Sequence, residues 1–579
     1  MVILAKKSSV DDVIKDKRIS VLTVVVFLFG LIIVARLFSF QVLQHEFYSL
    51  LASEKHDVYK QLFPERGSIY TRESESLYPL VTNRDYYLVY AEPVKIKNSG
   101  EVIDKITPIL SLAEEEWQAI LPKLAKKDDP YEPIKHKVTK EQTDQIKALG
   151  LAGIGFLPET YRYYPEKGIG GQIFGFVGFK DDKKIGQYGL EGYFNDELSG
   201  QSGLLQSVKD ALGALVAIGP RSIRPAQDGV DLVLTIDRKV QFTACQKLKE
   251  FYEYFKASSA TVIIMNPKTG AIIAMCNFPD FDPENYNQVS DINYFNNPAI
   301  FTPYESGSVF KTMTMAAALD QEKVAPDTTY EDTGEVKVGP FTIRNFDNLA
   351  HGVNTMTQVL EQSLNTGAMF AAESIGRETF QSYVKNFGFG ELTGITLDKE
   401  TSGDISSLAK KGDVYYLTAS FGHGITVTPM QLLSAYAAVA NGGQLVEPYI
   451  VSEIIKPNGE ITKTQPKVIR QVIKPKTAAL LSGMLVSVTE KGYDKKARVP
   501  GYYLAAKTGT ARIPDSRGGY SQETNHTFIG FGPANNPQFV MLLKLEKPQG
   551  VRFASDTLGP LFRQISEFLL NYYQIPPEY

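Results

Sequence analysis

Three short groups of side chains, Ser308 with Lys311, Ser363 with Asn365, and Lys507-Thr508-Gly509-Thr510, carry residue types that can perform acyl transfer. Ser308 lies in Tyr304-Glu305-Ser306-Gly307-Ser308-Val309-Phe310-Lys311, followed by an alanine- and methionine-rich run to Leu319. Gly307 can supply a tight turn, and the run after Lys311 favours helix, so Ser308 is expected at a helix N-terminus. Lys311, three residues on, shares its face. A serine hydroxyl is a weak nucleophile at neutral pH. A desolvated lysine beside the positive end of a helix can take its proton, and the same helix end favours a developing oxyanion.

Spacing alone does not single out this pair, because Ser382/Lys385 and Ser407/Lys410 repeat it. The first reads as a surface helix, the second as part of the polar stretch Thr401 to Asp413, so both are expected to be chance matches. Ser308 differs in its company. Ser363-Leu364-Asn365 is a polar break between helical runs, where a hydroxyl able to relay a proton and an amide able to grip a peptide can share one cleft. A helix cap would account for the same residues without chemistry. Lys507-Thr508-Gly509-Thr510 continues the strand-like Tyr503 to Ala506, and such an edge could align an extended peptide and bind its carboxylate.

The elements that must position these groups begin near residue 230. Asp231 to Asp237 reads as a strand ending at an acidic cap, and Arg238 to Phe255 as the helix it caps. Ala260 to Met265 and Ala271 to Cys276 read as a hairpin, whose Lys268-Thr269-Gly270 is turn chemistry rather than a second strand motif. Phe528 to Gly532 and Val540 to Leu543 read as adjacent antiparallel strands.

The other half of the chain offers no candidate catalytic set. Ile19 to Ala35 is a charge-free run of 17 residues, preceded by Lys6, Lys7, Lys15, Lys17 and Arg18. The expectation is a single uncleaved membrane anchor over 19–40, residues 1–18 cytoplasmic and the remainder outside. A cleaved signal peptide is the rival, but no Ala-x-Ala-like site follows. Gln41 to Phe63 has helical spacing and is expected to continue as a stalk ended by Pro64. Tyr86 to Tyr90 reads as a strand and 96–150 as a helical insertion. The glycine-rich region after Arg162 reads as scaffold.

Composition narrows the classes further. With 61 basic and 65 acidic side chains and a net charge of -4, nucleic acid is not an expected partner. Two cysteines, Cys245 and Cys276, support no disulfide framework and are expected as buried hydrophobes. The histidines, His45, His56, His136, His351, His423 and His526, include no His-Glu-x-x-His, so no zinc hydrolase and no metal is expected.

Ser-x-x-Lys, Ser-x-Asn and Lys-Thr-Gly in that order resemble the signature of penicillin-binding proteins and serine β-lactamases. The anchor, Arg66-Gly67-x-Ile69, Arg162-Tyr163-x-Pro165, Gly189-Leu190-Glu191, Asn266 to Gly270, Gly422-His423-Gly424, Thr428-Pro429-Met430-Gln431-Leu432, Ala440-Asn441-Gly442-Gly443 and Phe528-Ile529-Gly530-Phe531 extend the resemblance to class B penicillin-binding proteins over nearly the whole chain. Four positions depart from the family pattern: Ser306 stands where proline is usual, Ala506 where glycine is usual, Thr71 where aspartate is common, and His423 where glutamine is common.

The resemblance implies an α/β (α+β) architecture. A single N-terminal transmembrane helix would lead to an elongated mixed α/β pedestal, dimerisation-like domain over 41–229. A penicillin-binding, serine-β-lactamase-like transpeptidase domain, an antiparallel sheet flanked by helices, would occupy 230–579. It implies a peptidoglycan DD-transpeptidase with Ser308 as nucleophile, Lys311 as its base, Ser363 as proton relay, Asn365 holding the substrate amide and Lys311, and Lys507 supplying positive potential. Thr508, Gly509 and Thr510 would bind substrate, the two threonines its carboxylate. The backbone N–H groups of Ser308 and Thr510 would form the oxyanion hole.

No cofactor is implied. The implied partners are stem peptides ending in D-Ala-D-Ala, β-lactams, the bacterial cell membrane, a membrane glycosyltransferase, and division or elongation proteins. The Tyr-Glu-x-Gly-Ser-x-Phe-Lys context leans toward the division type over the elongation type. A β-lactamase or a β-lactam sensor would share the serine chemistry, and a non-catalytic cell-wall scaffold would share the fold.

Overall fold

A computed structural model describes residues 29–30, 57–126, 128–166, 168, 170–180, 183–208, 222–515 and 517–579. The expected cytoplasmic tail, and the expected anchor apart from Phe29 and Gly30, lie outside these residues. Among the described residues no helix is long and apolar enough to cross a membrane.

The chain forms two compact units. One comprises residues up to Pro64 together with Gln201–Gln227. Its described part is a three-stranded antiparallel sheet: Asp57–Leu62 pairs with Gly203–Val208, which pairs in turn with Ser222–Arg224. This corrects the stalk reading, since 57–62 is strand rather than helix. The spacing of a local window could not report a partner strand so far along the chain.

The second unit holds Glu65–Gly200 and Asp228–Tyr579. Its first half is built on the long strand Ser76–Ala91, flanked by Ile69–Glu73, Glu132–Val138 and Ile154–Tyr163. The segment expected as a helical insertion folds as Ser99–Leu110, Glu114–Leu124 and Lys140–Ala148, with the strand Glu132–Val138 interposed. In the first of these helices Val102, Ile103, Ile106 and Leu110 form the buried stripe that holds it to the sheet. Arg66 and Arg162 both pair with Glu191, whose side chain is fully buried. A carboxylate taken so far from water persists only when paired. The three segments it ties together are the Arg-Gly, Arg-Tyr-x-Pro and Gly-Leu-Glu stretches singled out in the sequence.

The strand Asp231–Leu234 joins this first sheet, pairing in parallel with Ile69–Glu73 and antiparallel with Val451–Ile455. Asp237 caps the helix Arg238–Tyr254 as expected, accepting from the N–H groups of Lys239 and Val240.

A second sheet carries the candidate chemistry. Five antiparallel strands run in the order Ile272–Phe278, Ser259–Met265, Phe539–Glu546, Tyr520–Gly532, Ala505–Pro514. Alternate residues enter two different cores. Val262, Ile264, Met541 and Leu543 join Val240, Leu248, Leu558 and Phe562 of the helices Arg238–Tyr254 and Ala554–Tyr572. Ile263, Met265, Val540 and Leu542 join Val309, Met313, Leu432 and Tyr436 on the other side. Coverage on both faces explains why these strands read as unbroken apolar runs.

The turn between the first two strands is the expected hairpin: Asn266 Oδ1 accepts from the N–H groups of Lys268 and Thr269. One cysteine expectation fails. Cys245 on the helix and Cys276 on the strand are joined as a disulfide, with Cα atoms 5.6 Å apart. Both are also buried, and two cysteines on separate elements give the sequence no pairing signal.

Candidate active site

Gly307–Phe310 is a single tight helical turn that runs directly into the α-helix Lys311–Asp320. Every residue of that helix is buried, which matches its alanine- and methionine-rich sequence and its lack of a polar face. Its entry is fixed by glycines. Gly307 has φ of +63°, and a Cβ placed on Gly422 would stand 2.3 Å from the Gly307 carbonyl oxygen. Tyr436, buried on Pro429–Ala440, donates to the Val309 carbonyl at 2.8 Å and lies 2.7 Å from Thr312 Oγ1. At the far end Asp320 accepts from the Tyr383 and Thr477 hydroxyls and the Lys474 N–H. The Ser308 turn is therefore held at both ends of its helix.

Ser308 is half-buried, whereas Lys311 is only 1% exposed. Lys311 Nζ donates to both the carbonyl and the hydroxyl oxygen of Ser363, the latter at 3.3 Å. Ser363 sits between the helices Met356–Glu361 and Asn365–Ile375 with φ of +56°. That left-handed conformation, costly for a residue with a side chain, brings both of its oxygens to one amine. Lys507, also 1% exposed, donates to the same Ser363 hydroxyl at 3.1 Å and to the Thr508 carbonyl at 3.1 Å. Two lysines from separate elements thus converge on one oxygen of a third.

Asn365 begins the helix after Ser363. Its Nδ2 donates to the Arg344 carbonyl at 2.8 Å, so the amide is turned to the strand Phe341–Arg344 rather than to Lys311. Asn345 Oδ1 caps this helix by accepting from the N–H groups of Asn365 and Thr366, while its Nδ2 donates to buried Asp332.

Strand Ala505–Pro514 presents the third group. Gly509 faces the Ser308 turn so closely that an added Cβ would lie 2.6 Å from the Ser306 carbonyl oxygen. Thr508 donates its N–H to Asp494 Oδ2 at 3.0 Å. Thr510 Oγ1 accepts from the Ala554 N–H at 3.0 Å, at the start of the helix Ala554–Tyr572. Two departures from the family pattern find local accommodation. Ala506 fits because its partner is Gly530, where a Cβ would come within 2.5 Å of the Ala506 methyl. Buried Thr71 donates to the Ile236 carbonyl. Ser306 is buried with no hydrogen-bond partner for its hydroxyl among the described residues, and nothing in its surroundings explains the serine.

The electrostatics follow from burial. Lys311 is pushed well below the ordinary lysine range, first by desolvation and then by the charge of Lys507. Lys507 is lowered by burial, with Asp494 opposing the shift. His423, beside the Ser308 turn, is lowered to about 4 by burial, with Lys311 and Arg512 adding to it. Glu305, raised by burial, accepts from the Gly424 N–H and the Tyr520 hydroxyl.

Asp494, Asn345, Asp332 and the Glu305–Tyr520 contact were not singled out in the sequence. Asp494, Asn345 and Glu305 lie in loops and Asp332 and Tyr520 at strand ends, none with motif spacing; only Glu305, three residues before Ser308, had a positional hint. The chance matches differ from the Ser308 pair: Ser382 and Lys385 are both exposed, and Lys410 lies exposed over the Tyr415 ring. Among the described residues no group of three or more His, Cys, Asp or Glu side chains could hold a metal ion.

Residues 260–567 match the family model described as the penicillin binding protein transpeptidase domain, and residues 61–234 match the penicillin-binding protein dimerisation domain. The chain is 33% identical over 551 residues to stage V sporulation protein D of Bacillus subtilis, covering 93% of this chain and 84% of that protein. It is 29% identical to a peptidoglycan D,D-transpeptidase FtsI homolog of Mesostigma viride, covering 97% and 96%. Its fold is similar to penicillin binding protein 2X of Streptococcus thermophilus, with a TM-score of 0.75 at 23% identity, covering 89% of this chain and 80% of that one. The chain belongs to the penicillin-binding protein transpeptidase family.

Proposed function

We infer that this protein is a peptidoglycan DD-transpeptidase that works through a serine acyl-enzyme. The observation that carries the reading is the convergence of Lys311 and Lys507 on the Ser363 hydroxyl beside the Ser308 turn. Lys311, its pKa lowered by burial and by the Lys507 charge, takes the Ser308 proton as Oγ attacks the penultimate D-alanine carbonyl. The oxyanion is received by the backbone N–H groups of Ser308 and Thr510. Ser363 passes a proton to the departing D-alanine amine, and Lys507 with Thr508 attracts the substrate carboxylate. Attack by an amine of a neighbouring stem on the acyl-enzyme then forms the cross-link and frees Ser308. A β-lactam, whose strained amide imitates D-Ala-D-Ala, acylates the same hydroxyl.

Two structural details refine the roles. The Thr510 hydroxyl accepts from the Ala554 N–H, which leaves its O–H free to donate to the carboxylate alongside Thr508. Asn365 keeps its Oδ1 and second N–H for substrate while its Nδ2 holds the Arg344 carbonyl.

The reading extends to a body anchored outside the cell membrane by residues 19–40, a pedestal over 41–229 and a transpeptidase domain over 230–579. The Cys245–Cys276 disulfide supports an oxidising, extracytoplasmic setting. A separate membrane glycosyltransferase would supply the glycan strands, and the Ser308 context supports a division role over elongation.

The test is release of D-alanine from a synthetic stem pentapeptide with an amine acceptor present. Release with cross-linked product, abolished in Ser308→Ala, is expected. A folded protein that releases none would favour a cell-wall scaffold.

A further inference from the structure

We propose that Asp494 is a positioning residue of the acylation reaction: its buried carboxylate keeps the positive charge of the lysine pair on Lys507, leaving Lys311 as the neutral base, and it anchors the Lys507 strand through the Thr508 N–H.

The argument starts from an asymmetry. Lys311 and Lys507 donate to one hydroxyl, Ser363 Oγ, at 3.3 and 3.1 Å, and both are 1% exposed. Two like charges sharing one buried oxygen repel strongly in a medium that screens poorly, so the resting site favours a single charge. The chemistry requires that charge to be on Lys507, because a protonated Lys311 cannot accept the Ser308 proton. Nothing in the motif residues makes this choice.

Asp494 does. It follows the helix Pro475–Glu490, is 1% exposed, and accepts the Thr508 N–H at 3.0 Å, one residue from Lys507. Its other oxygen has no hydrogen-bond partner among the described residues. A buried carboxylate with one hydrogen bond is costly unless a countercharge compensates it. Burial raises the Asp494 carboxyl above its ordinary range, and the Lys507 charge and the Thr508 N–H oppose that shift; the same carboxylate raises the Tyr436 phenol. Among the described residues Lys311 makes its hydrogen bonds to Ser363 and no ion pair with a carboxylate, and the Lys507 charge lowers it further. Burial lowers both amines; the Lys507 charge adds to the shift at Lys311, whereas Asp494 opposes it at Lys507.

This assignment rests on the acyl-enzyme reading, and its test is read independently of activity. Lysine side chains labelled with 13C at Cε are titrated by NMR in the native protein and in Asp494→Asn, with Lys507→Arg and Lys311→Arg to assign the signals. Asparagine can still accept the Thr508 N–H but carries no charge. In the native protein Lys311 should lose its proton at lower pH than Lys507. In Asp494→Asn the Lys507 titration should fall by at least about one pH unit, a tenfold change in its proton equilibrium. The alkaline limb of penicillin acylation should move down with it.

A Lys507 titration unchanged in a folded Asp494→Asn protein would overturn the proposal. If that variant does not fold, the native order decides, and Lys507 losing its proton first would overturn it. A native protein that is not acylated would refute the acyl-enzyme reading while leaving the titration to judge Asp494.

Discussion

Gly509 and Ser306 stand so close that no side chain fits between them: a Cβ on Gly509 would lie 2.6 Å from the Ser306 carbonyl oxygen and 3.2 Å from the Val309 backbone nitrogen. The glycine of Lys-Thr-Gly thereby sets the distance between the Lys507 strand and the Ser308 turn. Gly509→Ala must push the two apart, at an overpacking cost of about 1–3 kcal/mol. The expected outcome is a lower melting temperature and an acylation rate by fluorescent penicillin at least tenfold lower. Native rates in this variant would contradict the account.

Lys311 is the expected base because burial and the Lys507 charge hold its pKa well below that of free lysine. The sign follows directly: acylation rises with pH as Lys311 loses its proton, and falls as pH drops below that lowered value. Lys311→Arg places a permanently protonated group there. The rate should fall by about 10²–10⁴-fold, the usual contribution of a general base. Stopped-flow acylation across pH measures both effects.

His526 lies fully buried on the strand Tyr520–Gly532 opposite Thr510, with its two ring nitrogens 2.9 and 3.1 Å from Thr557 Oγ1 and Thr524 Oγ1. Burial lowers its pKa to about 4, against about 6.5 in an unfolded chain. Between those values the unfolded state binds more protons, so stability falls as pH falls from about 6.5 toward 4 and changes no further through this group below that. Thermal melts in this window should show the loss, and His526→Gln should flatten the slope.

Asn345 is expected to matter although it touches no reacting group. By capping Asn365–Ile375 and pairing with Asp332, it fixes the loop that carries Ser363. Asn345→Ala should cost about 1–2 kcal/mol in stability, as loss of a buried cap does. It should also slow acylation, and combined melting and acylation measurements would separate the two.

The disulfide closes a separation of 31 residues between the helix Arg238–Tyr254 and the strand Ile272–Phe278. Cys245→Ser with Cys276→Ser should lower stability by about 2–4 kcal/mol. A reductant should lower the melting temperature of the native protein and leave that of the double variant unchanged.

The legible part of this chain was the part whose signal is local or ordered along the sequence. The Asp237 cap, the Asn266 turn and the helix after Lys311 follow from short-range chemistry. Ser308, Ser363 and Lys507 stood out because three short patterns recur in order. The hidden part depends on partners distant in sequence. Asp57–Leu62 is a strand only because Gly203–Val208 pairs with it. Cys245 and Cys276 carried no spacing pattern, and Asp494 gains meaning only beside Thr508 and Lys507. The direction of Asn365 was invisible for the same reason, since the Arg344 carbonyl that holds it lies on another element.

The most direct test of the account is mass spectrometry of residues 41–579 after incubation with a penicillin, with Ser308→Ala as control. The account predicts a stable covalent adduct on Ser308 that is absent from the variant. A folded protein with no adduct, or an adduct on another residue that persists in Ser308→Ala, would contradict it.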